Sequence, residues 1–125
     1  MRRLRDTSVM TEWADGLTTI PLRWRSGTQS IRDLFRESAP PETTSAEQFK
    51  ASVAERLADR PDLVDAWQTY SYDKRSSPSP YLDGLEVGHF DDGPRDVAEH
   101  ASPTDACVAF VYRETWWILH GRRVV

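Results

Sequence analysis

Apolar residues recur along most of this chain with helical spacing. Ser45 and Gln48 stand three apart with the spacing of a capping box, and Phe49, Val53 and Leu57 follow at intervals of four. This predicts a helix over about 46–59. Pro61 suits a first helical turn, and Leu63, Val64, Trp67 and Tyr70 form a second amphipathic stripe, so the two segments read as an αα-hairpin. Asp62 and Asp65 at the start of the second helix, with no base before Lys74, suit phosphate contact poorly and argue against a DNA-reading helix-turn-helix.

Upstream, Ile20, Leu22 and Trp24 alternate with Pro21, Arg23 and Arg25, and this period of two predicts a strand over Leu17–Arg25. Pro21 places it at a sheet edge. Thr28 is positioned to cap a short helix carrying Ile31, Leu34 and Phe35, ended by Ala39-Pro40-Pro41. Leu4, Val9, Met10 and Trp13 follow no clean period, so residues 1–15 read either as a short helix or as an arm.

Between Tyr72 and Gly88 the chain carries Pro78 and Pro80. Two prolines fix φ and remove donors, and the segment reads as a stiffened surface connector holding Tyr72, Lys74, Arg75 and Tyr81. Leu85, Val87 and His89 then alternate with Glu86, Gly88 and Phe90, and Asp91-Asp92-Gly93-Pro94 turns the chain back through Arg95-Asp96-Val97, a β-hairpin pattern. Ser102-Pro103-Thr104-Asp105 is a strong helix start and Gly121 a stop, which predicts a helix to about His120. A short terminal strand could follow over Arg122–Val125. The fold class is α+β: a small, mostly antiparallel sheet packed with the αα-hairpin and a long, largely buried C-terminal helix.

The length of 125 residues fits a single globular domain over 1–125, and no repeat or heptad array suggests more. No apolar run reaches bilayer length, and the start Met1-Arg2-Arg3-Leu4-Arg5 leads into Asp6, Thr7 and Ser8 rather than into a signal-peptide core. A cytoplasmic location with no membrane partner is expected, and the lone Cys107 is compatible with it. Asparagine is absent and two lysines stand beside fourteen arginines, a bias expected of a GC-rich bacterial genome.

Charge is unevenly distributed. Residues 83–105 hold seven acids, Asp83, Glu86, Asp91, Asp92, Asp96, Glu99 and Asp105, against Arg95 alone. Such a cluster repels nucleic acid, attracts a basic protein partner, and equally serves a solvated hairpin that maintains solubility. An arm of Arg2, Arg3 and Arg5 is the competing basic feature, and it is too short to make direct nucleic-acid binding the better reading.

On the last helix, Glu114 falls among Phe110, Trp117, Cys107 and Ile118, whereas Arg113 and His120 share a polar edge. A carboxylate in that arc must be paired or shifted in pKa, with Arg23 or Arg25 as the expected partner. His89, His100, His120 and Cys107 lack metal-ligand spacing, Cys107 has no readable base, and the serines near Lys74 and Arg75 lack the glycines of a nucleotide loop. No metal, cofactor or catalytic residue is assigned.

In composition the chain is similar to many bacterial immunity, antitoxin or inhibitor proteins, with no motif shared. The leading expectation is a non-enzymatic protein that meets a basic partner through Asp83, Asp91, Asp92, Asp96 and Glu99 together with Tyr72, Lys74, Arg75 and Tyr81. Two alternatives stand: a small enzyme or ligand-binding domain using Glu114, Tyr112 or a histidine beside the last helix, and a regulatory or phage-derived protein acting on nucleic-acid machinery.

Overall fold

The computed structural model describes residues 12–74 and 76–125. Trp13–Thr18 (α1) and Ile20–Ser26 (α2) are helices, which overturns the predicted edge strand. Leu17, Ile20 and Trp24 lie three and four residues apart, so one face turns inward while Leu22 stays 42% exposed. Pro21 falls in the first turn of α2, where a missing N–H is harmless. The break between the two helices leaves a carbonyl to satisfy. Leu22 N–H bonds to Thr19 O at 3.1 Å, and the Thr18 carbonyl instead accepts the indole N–H of Trp67 at 3.1 Å.

Ile31–Glu37 (α3) is capped by Ser30, whose hydroxyl accepts from Asp33 N–H at 3.1 Å. The cap is therefore two residues later than Thr28. Ala46–Leu57 (α4) opens on the predicted capping box, with Gln48 N–H to Ser45 Oγ and Ser45 N–H to Gln48 Oε1 both at 3.1 Å. Pro61–Lys74 (α5) buries Leu63, Val64, Trp67, Tyr70 and Ser71.

Three antiparallel strands follow in the order β1-β2-β3: Ser79–Asp83 (β1), Glu86–Phe90 (β2) and Pro94–Glu99 (β3). The stiff connector of the sequence reading is thus corrected at both ends, because Tyr72 to Lys74 belong to α5 and Pro80 lies within β1. A proline is tolerated there since β1 is an edge strand. Its outer edge meets α5 rather than another strand: Ser71 Oγ accepts from Leu82 N–H at 2.8 Å, and the Gln68 amide exchanges bonds with Gly84 N–H and C=O at 3.1 and 3.0 Å.

Pro103–His120 (α6) begins as expected, with Ser102 Oγ accepting from Asp105 N–H at 3.1 Å. It ends at Gly121, φ 63°, whose N–H reaches Trp117 O at 2.9 Å while Arg122 N–H reaches Trp116 O at 3.3 Å. Arg122–Val125 forms no strand.

α6 packs against α3, α4, α5 and the sheet, and Ala106, Cys107, Phe110, Val111, Glu114 and Thr115 are each 0% exposed. Its aromatic neighbours form the middle of the core, with ring centroids of Trp67–Tyr70 at 5.0 Å, Trp67–Phe110 at 6.0 Å and Phe35–Trp67 at 6.3 Å. Edge-to-face rings bury large apolar area and add specific geometry. Trp117 sits outside this group, half-buried, with its ring 4.9 Å from His89. Arg113 is also misplaced by the wheel reading: it is only 5% exposed, and its guanidinium donates to Asp96 O at 2.9 Å.

Phe110→Ala is expected to cost about 3–5 kcal/mol, since the ring is fully enclosed and its loss leaves a cavity. Trp117→Ala, at a half-exposed position, is expected to cost about 1–2 kcal/mol. Chemical denaturation of the two variants checks the ranking, and an equal cost would place the interior face of α6 wrongly.

Candidate functional site

Two polar assemblies stand out, one inside and one outside. Inside, the Glu114 carboxylate is 0% exposed, and its Oε2 accepts the Tyr70 hydroxyl while its Oε1 accepts Lys74 Nζ, both at 2.6 Å. The partner is therefore Lys74 and not an arginine of α2. Arg23 is engaged with Gly16 O at 2.5 Å and Ser38 Oγ at 3.2 Å, and Arg25 lies 4.0 Å from Asp73. Lys74, expected on a surface connector, instead has a side chain only 3% exposed. Its ammonium lies 5.5 Å from the Phe110 ring centroid and 5.9 Å from that of Tyr70.

Burial pulls the Lys74 ammonium below its ordinary pKa, and the attraction of Glu114 opposes that pull. Tyr70 is pushed well above the usual phenol range by burial first and by Glu114 second. Glu114 is fully buried with each oxygen already accepting from an internal donor, so its carboxylate is not presented to a substrate. Tyr112, the other candidate on α6, packs its ring against Phe49 at 5.4 Å with Lys50 Nζ 4.7 Å from its centroid.

Outside, the sheet carries the acids, Asp91 and Asp92 at the β2–β3 turn and Asp83 and Glu99 at its other end. Asp83, Asp91, Asp92 and Glu99 are exposed, and no ion pair joins their carboxylates to any described residue. The tip is a tight turn in which Asp91 N–H reaches Gly93 O at 2.9 Å, with Asp92 at φ 56° and Gly93 at φ 118°. Aspartate is among the few residues that visit the left-handed region routinely. Asp96, φ 50°, stands at the irregularity where β3 slips against β2 between Val87 and His89. Its carboxylate is already committed, accepting from Arg123 Nε at 2.8 Å. Glu99 lies opposite Glu86 in the ladder, a like-charge pairing that disfavours the sheet locally.

The aromatic candidates separate. Tyr81 lies over its cross-strand partner Gly88, where any Cβ would come within 2.7 Å of its ring, and its hydroxyl donates to Glu86 Oε2 at 2.5 Å. It is a strut of the sheet, and its phenol is pushed up to about 12 by burial and then by Glu86. Tyr72, on the last turn of α5, is 66% exposed. Arg75 lies outside the described residues. Sequence reasoning overlooked Phe90 and Val97, which remain 45% and 50% exposed beside the acids. The signal was present in Phe90, an aromatic at the end of an alternating strand directly before Asp91-Asp92.

Cys107 is fully buried on α6, and burial alone raises its thiol to about 12. Among the described residues no cluster of three or more His, Cys, Asp or Glu side chains is placed to hold a metal ion. None of the described helices is long and apolar enough to cross a membrane. Comparison with protein-family models, with curated protein sequences and with solved structures returns no match.

Lys74→Met is expected to destabilise the protein by about 3–5 kcal/mol, because it strands the Glu114 charge in the core. The double variant Lys74→Met, Glu114→Leu is expected to recover most of that loss. Denaturant titration of both checks it, and equal stability of the single and double variants would mean that the pair carries no such charge.

The thiol makes a separate prediction. The unfolded chain releases the Cys107 proton near pH 9.0 and the folded chain retains it to about 12, so the unfolded state binds fewer protons in that interval and stability falls as pH rises through it. Tyr70 and Tyr81, also raised, add to the fall above pH 10.0, whereas Lys74, lowered from 10.5, acts in the opposite sense. Cys107→Ala is expected to flatten the part of the decline that begins near pH 9.0, as read from denaturation midpoints across the range.

Proposed function

We propose that this chain is a non-enzymatic protein-binding protein that receives a basic protein surface on its β2–β3 hairpin, in the manner of a small bacterial cytoplasmic inhibitor, immunity protein or antitoxin. The observation that carries this reading is the hairpin tip: an exposed Phe90 directly followed by Asp91 and Asp92, whose carboxylates form no ion pair with any described residue. An apolar anchor ringed by unpaired charge combines the two elements of a protein interface, since the charges steer encounter and the ring supplies residence. The Glu86–Glu99 pairing supports it as well, because a fold selected for stability alone has no need of like charges face to face.

The proposed contact residues are Phe90, Asp91, Asp92, Val97, Asp83 and Glu99. Lys74 and Tyr81 drop out of the set, the first into the core and the second onto Gly88. Asp96 contributes through the irregularity it makes in β3 rather than through a free carboxylate. The enzyme alternative loses its principal residue, since Glu114 is sealed between Tyr70 and Lys74.

The test begins with affinity capture of a partner from the native host and then measures rates. Asp91→Lys with Asp92→Asn is expected to slow association by roughly tenfold at low salt and to flatten its salt dependence. Asparagine is chosen at position 92 because it tolerates the left-handed backbone there. Phe90→Ala is expected to speed dissociation while leaving association nearly unchanged. A partner whose two rates ignore all of these changes, or turnover of a substrate by the purified chain, would overturn the reading.

A further inference from the structure

A second surface lies at the same end of α6 as the hairpin tip. Between α3, the Ala39–Glu42 linker and the end of α6 runs an open groove of about 470 Å³. Its floor is apolar, made by Trp116, Leu119, Pro40 and Pro41, and its rim carries Arg36, His120 and Arg122 against Glu42 alone. Neither arginine takes part in an ion pair with any described residue. A chain of net charge -4 thus presents a locally basic, aromatic-floored groove.

The hairpin tip has the complementary chemistry. It offers one exposed aromatic ring, Phe90, followed at once by two carboxylates in no ion pair with any described residue. The groove volume accommodates a phenyl ring with its flanking backbone, and Trp116 offers it an aromatic surface.

The two surfaces adjoin at the C-terminal end of α6. His89 stacks on Trp117 at 4.9 Å and Asp96 binds Arg123 at 2.8 Å, which fixes the hairpin to one flank. Trp116, Leu119, His120 and Arg122 line the groove on the adjacent face. A hairpin and a groove side by side at one end allow a two-fold arrangement in which each copy gives its tip and receives the other's.

We infer that the occupant of this groove is the β2–β3 hairpin of a second copy of this chain, with Phe90 over Trp116 and Asp91 and Asp92 facing Arg36 and Arg122. The inference rests on the reading of the hairpin tip as a contact surface, and it names a partner for that same tip. Reciprocity makes two such contacts per dimer, and the pairing of charges makes the dimer sensitive to salt. A basic partner of another kind would then compete with self-association for the tip.

Sedimentation of the full chain over a concentration series, at low and at high salt, tests it. A dimer is expected whose dissociation constant rises by roughly tenfold or more between about 50 and 500 mM salt. Asp91→Lys with Asp92→Asn, and separately Arg36→Glu with Arg122→Glu, are each expected to weaken it by at least about tenfold, and equimolar mixing of the two variants is expected to restore association in a heterodimer with one native-polarity contact. Phe90→Ala is expected to weaken it without changing its salt dependence. A monomer at all concentrations to about 1 mM, or a dimer indifferent to both charge variants, overturns the inference. The wider reading fails separately: a monomer whose host partner still depends on Asp91 and Phe90 refutes only the second copy, whereas partner binding that ignores the tip refutes the contact surface itself.

Discussion

Glu114 is a carboxylate at the centre of an apolar helix, and the position of α5 relative to α6 follows from what that carboxylate requires. An ionised oxygen cannot remain in such surroundings without donors. Tyr70 and Lys74, four residues apart and so on one face of α5, supply one donor to each oxygen at 2.6 Å. Any slide or rotation of α5 along α6 would separate at least one of them from its acceptor. Hydrophobic packing alone tolerates such shifts, because one ring can replace another at similar cost, whereas a two-point polar contact in a low-dielectric interior does not. The same helix carries Ser71 and Gln68, which bond the outer edge of β1, so the placement set at Glu114 is passed directly to the sheet.

This also explains which parts of the chain could be read from its letters. The capping box at Ser45, the Ser102-Pro103 start and the Gly121 stop are local devices, each settled within a few residues, and all three stand where expected. The segment from Leu17 to Arg25 fits two periods at once. Ile20, Leu22 and Trp24 obey the alternation of a strand, Leu17, Ile20 and Trp24 the spacing of a helix, and the choice falls to Trp67, a residue 49 positions away whose indole satisfies the carbonyl at the break. Pro78 and Pro80 exclude a central strand and make the segment read as a connector, because the helix that covers the edge of β1 cannot be inferred locally. The error over Lys74 has the same source. A lysine beside a proline-rich segment looks solvated until a buried acid 40 positions later claims it. That Glu114 must be buried and partnered was legible; the identity of its partner was not, because two nearby arginines satisfied the same requirement on paper.

At the surface, the hairpin has to answer two needs that pull in different directions. β3 is an edge strand, and a flat, apolar edge invites unselective pairing with other chains. The slip opposite Gly88, the left-handed backbone at Asp96, and Pro94 at its start all disturb the regular ladder, and the flanking carboxylates repel other acidic chains. These features suppress strand addition along β3 without covering Phe90 or Val97. A surface designed only against aggregation would have lost those two side chains as well. What remains is an edge closed to backbone pairing and a tip whose ring and charges stay exposed; on the proposed reading a partner must match both. On the proposed reading selectivity resides in the tip, and the buried cluster behind it keeps the sheet, α5 and α6 in the one arrangement that presents it.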